Sequence, residues 1–347
     1  MDNENPARED SPVNIGSRLE LFVDRHIADT LQQTTFRLHH PQRLPLAQSP
    51  ISGGYMSVFK DGNLYRAYFR DNDPAYTGKH DDRIDGNDGE FTAYAQSPDG
   101  HEWTRPELDL HEIAGSRANS AILAKHTPFT HNFAPCIDTR PDVEPESRFK
   151  ALGGTHPGGL FAYKSGDGIH WERLWDEAVI TSEGKAFDSQ NVSFWSAAEE
   201  CYVCYFRSWF TPYGRFRTIS RTTSSDYIHW TAPIPMNPNL PAEDLYVSGT
   251  HPYFRAPHIY VALPTRFIKD RGSSTDILFM STRAGSTSYE RLFTEAFIRP
   301  GLDRQRWGNR ANYAAFGVVP TSPTEMSIYH GNSGHRYVLR IDGFTSI

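Results

Sequence analysis

One short turn returns along the chain. It reads Ser97-Pro98-Asp99-Gly100-His101-Glu102-Trp103, then Ser165-Gly166-Asp167-Gly168-Ile169-His170-Trp171, then Ser224-Ser225-Asp226-Tyr227-Ile228-His229-Trp230. A degraded fourth copy runs from Ser281 through Gly285 to Tyr289. The aspartates of the first three copies lie 68 and then 59 residues apart. A strand-like run leads into each copy (Phe91 to Gln96, Leu160 to Lys164, Thr218 to Thr222, Ile277 to Met280), the Asp-Gly or its equivalent makes a tight turn, and the aromatic residue opens the next short strand. Two further strand-like runs precede each of these hairpins, as in Met56 to Phe59 with Leu64 to Phe69, or Asn191 to Trp195 with Cys201 to Arg207. Four strands per period of this length describe a propeller blade.

The 347 residues hold five such periods, which predicts an all-β, five-bladed β-propeller. The last blade draws on both ends of the chain. Phe316 to Pro320, Glu325 to Tyr329 and Arg336 to Asp342 supply three strands, and Leu19 to Asp24 is expected to supply the fourth, closing the ring by pairing N- and C-terminal strands. Residues 1–14 are read as a disordered arm and residues 15–347 as one domain. Composition agrees: 26 Gly and 24 Pro interrupt helices, and aromatic residues make up 13% of the chain.

Charge narrows the partners. The net charge is −7 and no basic run reaches five residues, so the footprint of a nucleic-acid-binding protein is missing. No apolar run approaches the roughly 18 residues of a membrane span, and the polar, acidic start lacks a signal-peptide pattern. No membrane partner is expected. A cytoplasmic location is expected, or a secreted or periplasmic one if a leader has been removed. Cys136, Cys201 and Cys204 read as buried free thiols, because Tyr202 and Val203 place the Cys201–Cys204 pair inside a strand.

In a propeller the repeated turns are architecture: Asp and Gly satisfy the turn, and Trp packs between blades. Chemistry belongs where innermost strands begin, at one mouth of the channel. Five segments hold that position: Ser52 to Tyr55, His131 to Phe133, Phe187 to Asn191, Gly249 to Tyr253 and Asn309 to Tyr313. They are rich in His, Asn, Asp, Gln, Arg and Tyr, which hydrogen-bond hydroxyl groups and stack on sugar rings.

Phe187-Asp188-Ser189-Gln190-Asn191-Val192, Thr250 to Tyr260, Glu295 to Gly301, Leu21-Phe22-Val23-Asp24 and Arg340 to Phe344 together resemble bacterial proteins similar to glycoside hydrolase family 32. These lie within the five-bladed propeller glycosidases of families 32, 43, 68 and 117, and the resemblance spans nearly the whole chain. It implies a glycosidase acting on an oligosaccharide or polysaccharide, with furanosides favoured, in which two carboxyl groups flank the scissile bond and a third tunes them. Asp188, just before an innermost strand, is the expected nucleophile or general base. Glu243 and Glu295 compete as proton donor, with His251 and His258 as further candidate acids. Asn132, Gln190, Asn191, His251, Arg255, His258, Arg310 and Asn312 are expected to hold substrate hydroxyls.

One departure stands out: the first blade's mouth reads Gly53-Gly54-Tyr55-Met56-Ser57, with no carboxylate where the characterised families place one. Either the acids are redistributed over later blades, or the chain is a non-catalytic carbohydrate-binding propeller. No cofactor and no catalytic metal are expected. The acidic loop with Asp71, Asp73, Asp81, Asp82, Asp85, Asp88 and Glu90 lacks the spacing of a calcium loop and reads as solvated, with a structural calcium as the lesser alternative and part of it able to overhang the mouth.

Overall fold

The computed structural model describes residues 12–28, 30–78, 85–126, 128–211, 214–238, 243–308 and 312–347. Residues 1–11 of the expected arm, Asp81, Asp82 and Arg310 lie outside the described residues.

The architecture is all-β and is consistent with a propeller-type glycosidase fold. Sheet I runs Gly54–Asp61, Leu64–Asn72, Glu90–Ser97 and Ala121–Ala124 as an antiparallel meander. Sheet II repeats the order with Ala134–Ile137, Phe149–Thr155, Gly159–Ser165 and Glu172–Arg173. Sheet III follows with Val192–Ser196, Cys201–Thr211, Gly214–Ser224 and Ile234–Pro235. The fourth region is split in two. His251–Tyr253, Ala256–Ala262 and Met280–Arg283 form one three-stranded sheet. Asp244–Leu245, Thr265–Ile268 and Ser274–Ile277 form a second, which continues the same hairpin beyond Pro264, a residue with no N–H for the ladder. Sheet V contains Val319–Pro320, Glu325–Tyr329, Arg336–Arg340 and, from the far end of the chain, Gln42–Arg43.

That last strand corrects the expectation for Leu19 to Asp24. This segment is not a strand, although Leu21 and Val23 are buried. Asp24 and Glu20 both reach Arg283, Glu20 also meets His258 at 3.0 Å, and Ser281 Oγ donates to the Val23 carbonyl. Two buried carboxylates need a cation, and Arg283 supplies it on the sheet of Met280–Arg283. Gln42 and Arg43 take the vacant edge instead, opposite Val338 and Tyr337.

The repeated turns behave as read. Asp167 Oδ1 accepts the N–H groups of Ile169 and His170, and Asp226 Oδ1 those of Ile228 and His229. Burial pushes both carboxyls up, but hydrogen bonds from the histidine side chains and these N–H groups outweigh it and hold them well below the usual range. The turns also join neighbouring sheets: Arg66 of sheet I donates to the Asp167 carbonyl, and Tyr329 of sheet V to that of Gly100. Gly168 has φ of 77°, and a Cβ there would stand 2.6 Å from Tyr68 Oη, so neither conformation nor space admits another residue easily.

First strands from sheets I, II, III and V and from the His251–Tyr253 sheet converge. Val58 and Phe59, Cys136 and Ile137, Phe194 and Trp195, His251 to Tyr253, and Val318 to Pro320 line one cavity of about 510 Å³. Sheets I and V meet directly, with Val58 N–H donating to the Phe316 carbonyl and Phe316 N–H to that of Met56. Cys136 and Cys204 are buried and Cys201 half-buried, all three as free thiols, and burial pushes the Cys136 thiol up to about 12. Cys201 and Cys204, three apart on a strand, face opposite sides of the sheet.

Candidate active site at the channel mouth

The loop before the first strand of sheet III is fixed on nearly every side. Phe187, Ser189, Gln190 and Asn191 are buried. Asn191 Nδ2 donates to the carbonyls of Phe187 and Ser189, Ser189 Oγ donates to that of Tyr246, and Gln190 Nε2 bonds Tyr55 O, Met56 O and Ser57 Oγ. Asp188 alone projects, with 22% of its side chain exposed. Phe187 holds φ at 69° and Tyr55 at 47°, a conformation that bulky residues adopt only under tertiary constraint.

Donors converge on Asp188. Tyr246 Oη donates to Oδ2 at 3.2 Å, Arg207 Nη2 stands 3.4 Å from the same oxygen, and His131 Nε2 lies 3.8 Å from Oδ1. Behind His131 sits Glu90, whose Oε2 is 3.0 Å from Nδ1, while Arg70 packs on the same imidazole and stands 3.7 Å from Glu90 Oε1. Two carboxylates thus lie on the two nitrogens of one ring. Their separation cannot exceed the roughly 9.5 Å upper bound of glycosidase acid pairs.

Aromatic faces complete the mouth. Tyr55 stacks on Tyr313 and Tyr313 on Tyr246, with centroids 6.1 and 5.9 Å apart. Arg70 lies over Tyr55, and Arg207 and Arg217 over Tyr246. Each region contributes: Tyr55 lies at the start of sheet I's first strand, His131 precedes sheet II's, Asp188 sheet III's and Tyr313 sheet V's, while Tyr246 follows Asp244–Leu245 and precedes His251–Tyr253 in the fourth region.

Several expected ligands are occupied by the fold. Besides Gln190 and Asn191, Asn132 is fully buried with Nδ2 on the Gly154 carbonyl. Asn312 is buried between Arg306, His330 and Thr275. His251 donates from Nδ1 to the Gly249 carbonyl and accepts the Val318 N–H at Nε2, and burial lowers its pKa to about 4. It is a neutral structural group, unsuited to donate a proton. His258 belongs to the Glu20 clasp, and Arg255 pairs with Asp342 at the surface.

The two glutamates differ. Glu243 is bound by Arg266 at 3.1 Å and by Arg291. Both of its carboxylate oxygens are thus engaged by guanidiniums, Oε1 by Arg266 and Oε2 by Arg291. Glu295 is exposed and lines a separate cavity beside the outer part of the fourth region. Within the acidic loop, Asp71 pairs with Arg105, Asp73 accepts the Ala75 N–H, and Asp85 accepts from Thr155.

Glu90, Arg70, Arg207 and Tyr246 were not singled out from the sequence as site residues. A signal existed: an innermost strand starts at the mouth, so the second strand ends there and the third begins there. Arg70 and Glu90 sit at that end of sheet I's second and third strands, and Arg207 and Arg217 near the same end in sheet III.

No family model matches this chain, and no curated protein does. Solved structures do. The chain is similar over 90% of its length to 92% of a structure described as a glycoside hydrolase, at 13% identity with a TM-score of 0.55. It is similar to the β-1,2-mannobiose phosphorylase of Listeria innocua in complex with β-1,2-mannobiose, at 12% identity, 87% and 93% coverage and a TM-score of 0.56. A thermostable family-43 glycoside hydrolase matches at 12% identity, 86% and 91% coverage and a TM-score of 0.54. At such identities the likeness shows the fold alone, an all-β fold consistent with that of propeller-type glycosidases.

Proposed function

We propose that the protein is a carbohydrate-active enzyme that cleaves a glycosidic bond at the channel mouth of a single closed five-bladed propeller. The observation that carries this is Asp188: the projecting member of a buried loop, faced by Arg207, Tyr246 and His131 beneath three stacked tyrosines. Those donors hold the carboxyl group in place at the mouth, as a nucleophile or general base requires. Glu90 orients His131, so the pair handles the proton that the leaving oxygen must receive. A furanoside, as the family 32 resemblance implies, is the preferred substrate type.

The test is hydrolysis of a glycan panel and of aryl glycosides. Asp188→Asn should abolish both. His131→Gln should lose activity on glycans and retain it on aryl glycosides, whose leaving group needs no proton. Equal activity of Asp188→Asn and the parent would remove Asp188 from the mechanism.

A second reading, phosphorolysis, is favoured by the arginines. Arg70, Arg207 and Arg217 crowd a mouth with one projecting carboxylate, and an enzyme of similar fold is a mannobiose phosphorylase. Guanidiniums bind phosphate in a forked geometry. Sugar 1-phosphate formed only with inorganic phosphate present would select this reading over hydrolysis.

A further inference from the structure

A cavity of about 720 Å³ lies beside the hairpin of Thr265–Ile268 and Ser274–Ile277, apart from Asp188 and its donors. Its volume is in the range of small-molecule sites, roughly 300–1,000 Å³. Trp307 lines it with 47% of its surface exposed, and Leu302 beside it is 95% exposed. The indole N–H already donates to the Gly301 carbonyl at 2.9 Å, which pins the ring and leaves its face as the available surface.

The charges on the wall are unequal in kind. Arg266 and Asp276 neutralise each other through two bonds of 2.9 and 2.7 Å, and the remaining Arg266 Nη1 goes to Glu243 and the Thr294 carbonyl. Arg271 and Arg299 are exposed and have no ion pair among the described residues. Glu295 is the one acid on this wall without such a pair. The cavity is therefore locally cationic on a chain of net charge −7. A pinned aromatic face beside two uncommitted guanidiniums matches a ring with an apolar face and an anionic substituent.

We propose that this cavity is a second carbohydrate site that binds an acidic pyranose of a glycan chain, its ring on Trp307 and its carboxylate or sulfate ester on Arg271 and Arg299. The proposal deepens the carbohydrate reading of the channel mouth and rests on it for the class of ligand. It makes the substrate an extended acidic glycan.

Calorimetric titration of the Asp188→Asn protein separates binding from turnover. The probes are a galacturonate hexamer, a sulfated galactan hexamer and a neutral galactan hexamer. At least one acidic hexamer is expected to bind about tenfold or more tighter than the neutral one, and which acidic arm wins identifies the anion. Binding should weaken with salt, and should fall by about tenfold in the Arg271→Gln/Arg299→Gln double variant and in Trp307→Ala. All three residues are exposed, and unchanged melting temperatures would confirm that the variants fold. Equal binding of neutral and acidic hexamers, no binding of either acidic hexamer, or variants that bind like their parent would each overturn the proposal. Acidic binding that depends on Trp307, in a protein that cleaves no glycan, would overturn the catalytic reading and leave this site standing. Asp188-dependent cleavage of neutral glycans without acidic binding would do the reverse.

Discussion

The two ends of each sheet obey different rules. At the turn end, three copies of one motif use the same bonds: Ser97, Ser165 and Ser224 each accept an N–H from the residue three further on, and Asp99, Asp167 and Asp226 fix the next two. At the mouth end the contributions differ: sheet I, the fourth region and sheet V bring Tyr55, Tyr246 and Tyr313, sheet II brings His131, and sheet III brings Asp188. Regularity at one end fixes how sheets pack. Irregularity at the other leaves each position open to its own chemistry.

If that division is right, substitutions at the mouth should cost activity and substitutions at the turns should cost stability. The largest effect is expected for Asp188→Asn, with kcat/KM on a cleaved glycan falling by about 10²–10⁴-fold at an unchanged melting temperature. A comparable loss of stability would show that Asp188 is structural and erase the contrast.

Acid sensitivity probes the boundary between the ends. Burial lowers His251 to about 4 and His330 to about 3, so both are neutral in the folded protein well below the unfolded value near 6.5. The unfolded chain binds more protons in that interval, so their contribution is present above pH 6.5 and is lost as pH falls toward 4 and 3. The unfolding free energy from denaturant titration should drop by an amount on the order of a few kcal/mol between pH 7 and pH 4. Protonated His251 could no longer accept the Val318 N–H. A flat profile would show that neither histidine is buried as described.

At the turns, Gly168→Ala should destabilise by about 1–3 kcal/mol, since strain at positive φ adds to the clash with Tyr68. Gly115→Ala shares the strain, with φ of 78°, but meets nothing within 4 Å, and should cost about 1 kcal/mol or less. Equal costs would mean that the tyrosine contact is dispensable. The smallest effect on catalysis is expected from Glu243→Gln, with kcat changing less than about threefold because the carboxylate serves Arg266 and Arg291. A collapse of kcat would restore Glu243 as proton donor.

What the sequence revealed follows the same divide. The turns were legible because the backbone demands Asp, Gly and Trp at fixed spacing, and Asp188 because it precedes a first strand. Glu90 was hidden in a run of acids that differ only in which way the chain delivers them. His251, Gln190 and Asn312 carry the chemistry of sugar ligands, yet their bonds go to the backbones of Val318, Tyr55 and Thr275, residues far away in the chain. The segment Leu19 to Asp24 reads as the strand that closes the ring, but its two acids, Glu20 and Asp24, are bound to Arg283 and the edge is taken by Gln42 and Arg43.

The late arrival of sheet V has a consequence for biosynthesis. Ser57 and Val58 emerge early, while Phe316, which covers their edge, and Tyr337, which pairs with Arg43, come close to the end. At roughly 5–20 residues per second, that edge waits on the order of tens of seconds for its partner. During that interval the nascent chain exposes an apolar strand edge to other nascent chains. Until that edge is paired, the growing chain is open to association that the finished molecule, with the edge covered, is not.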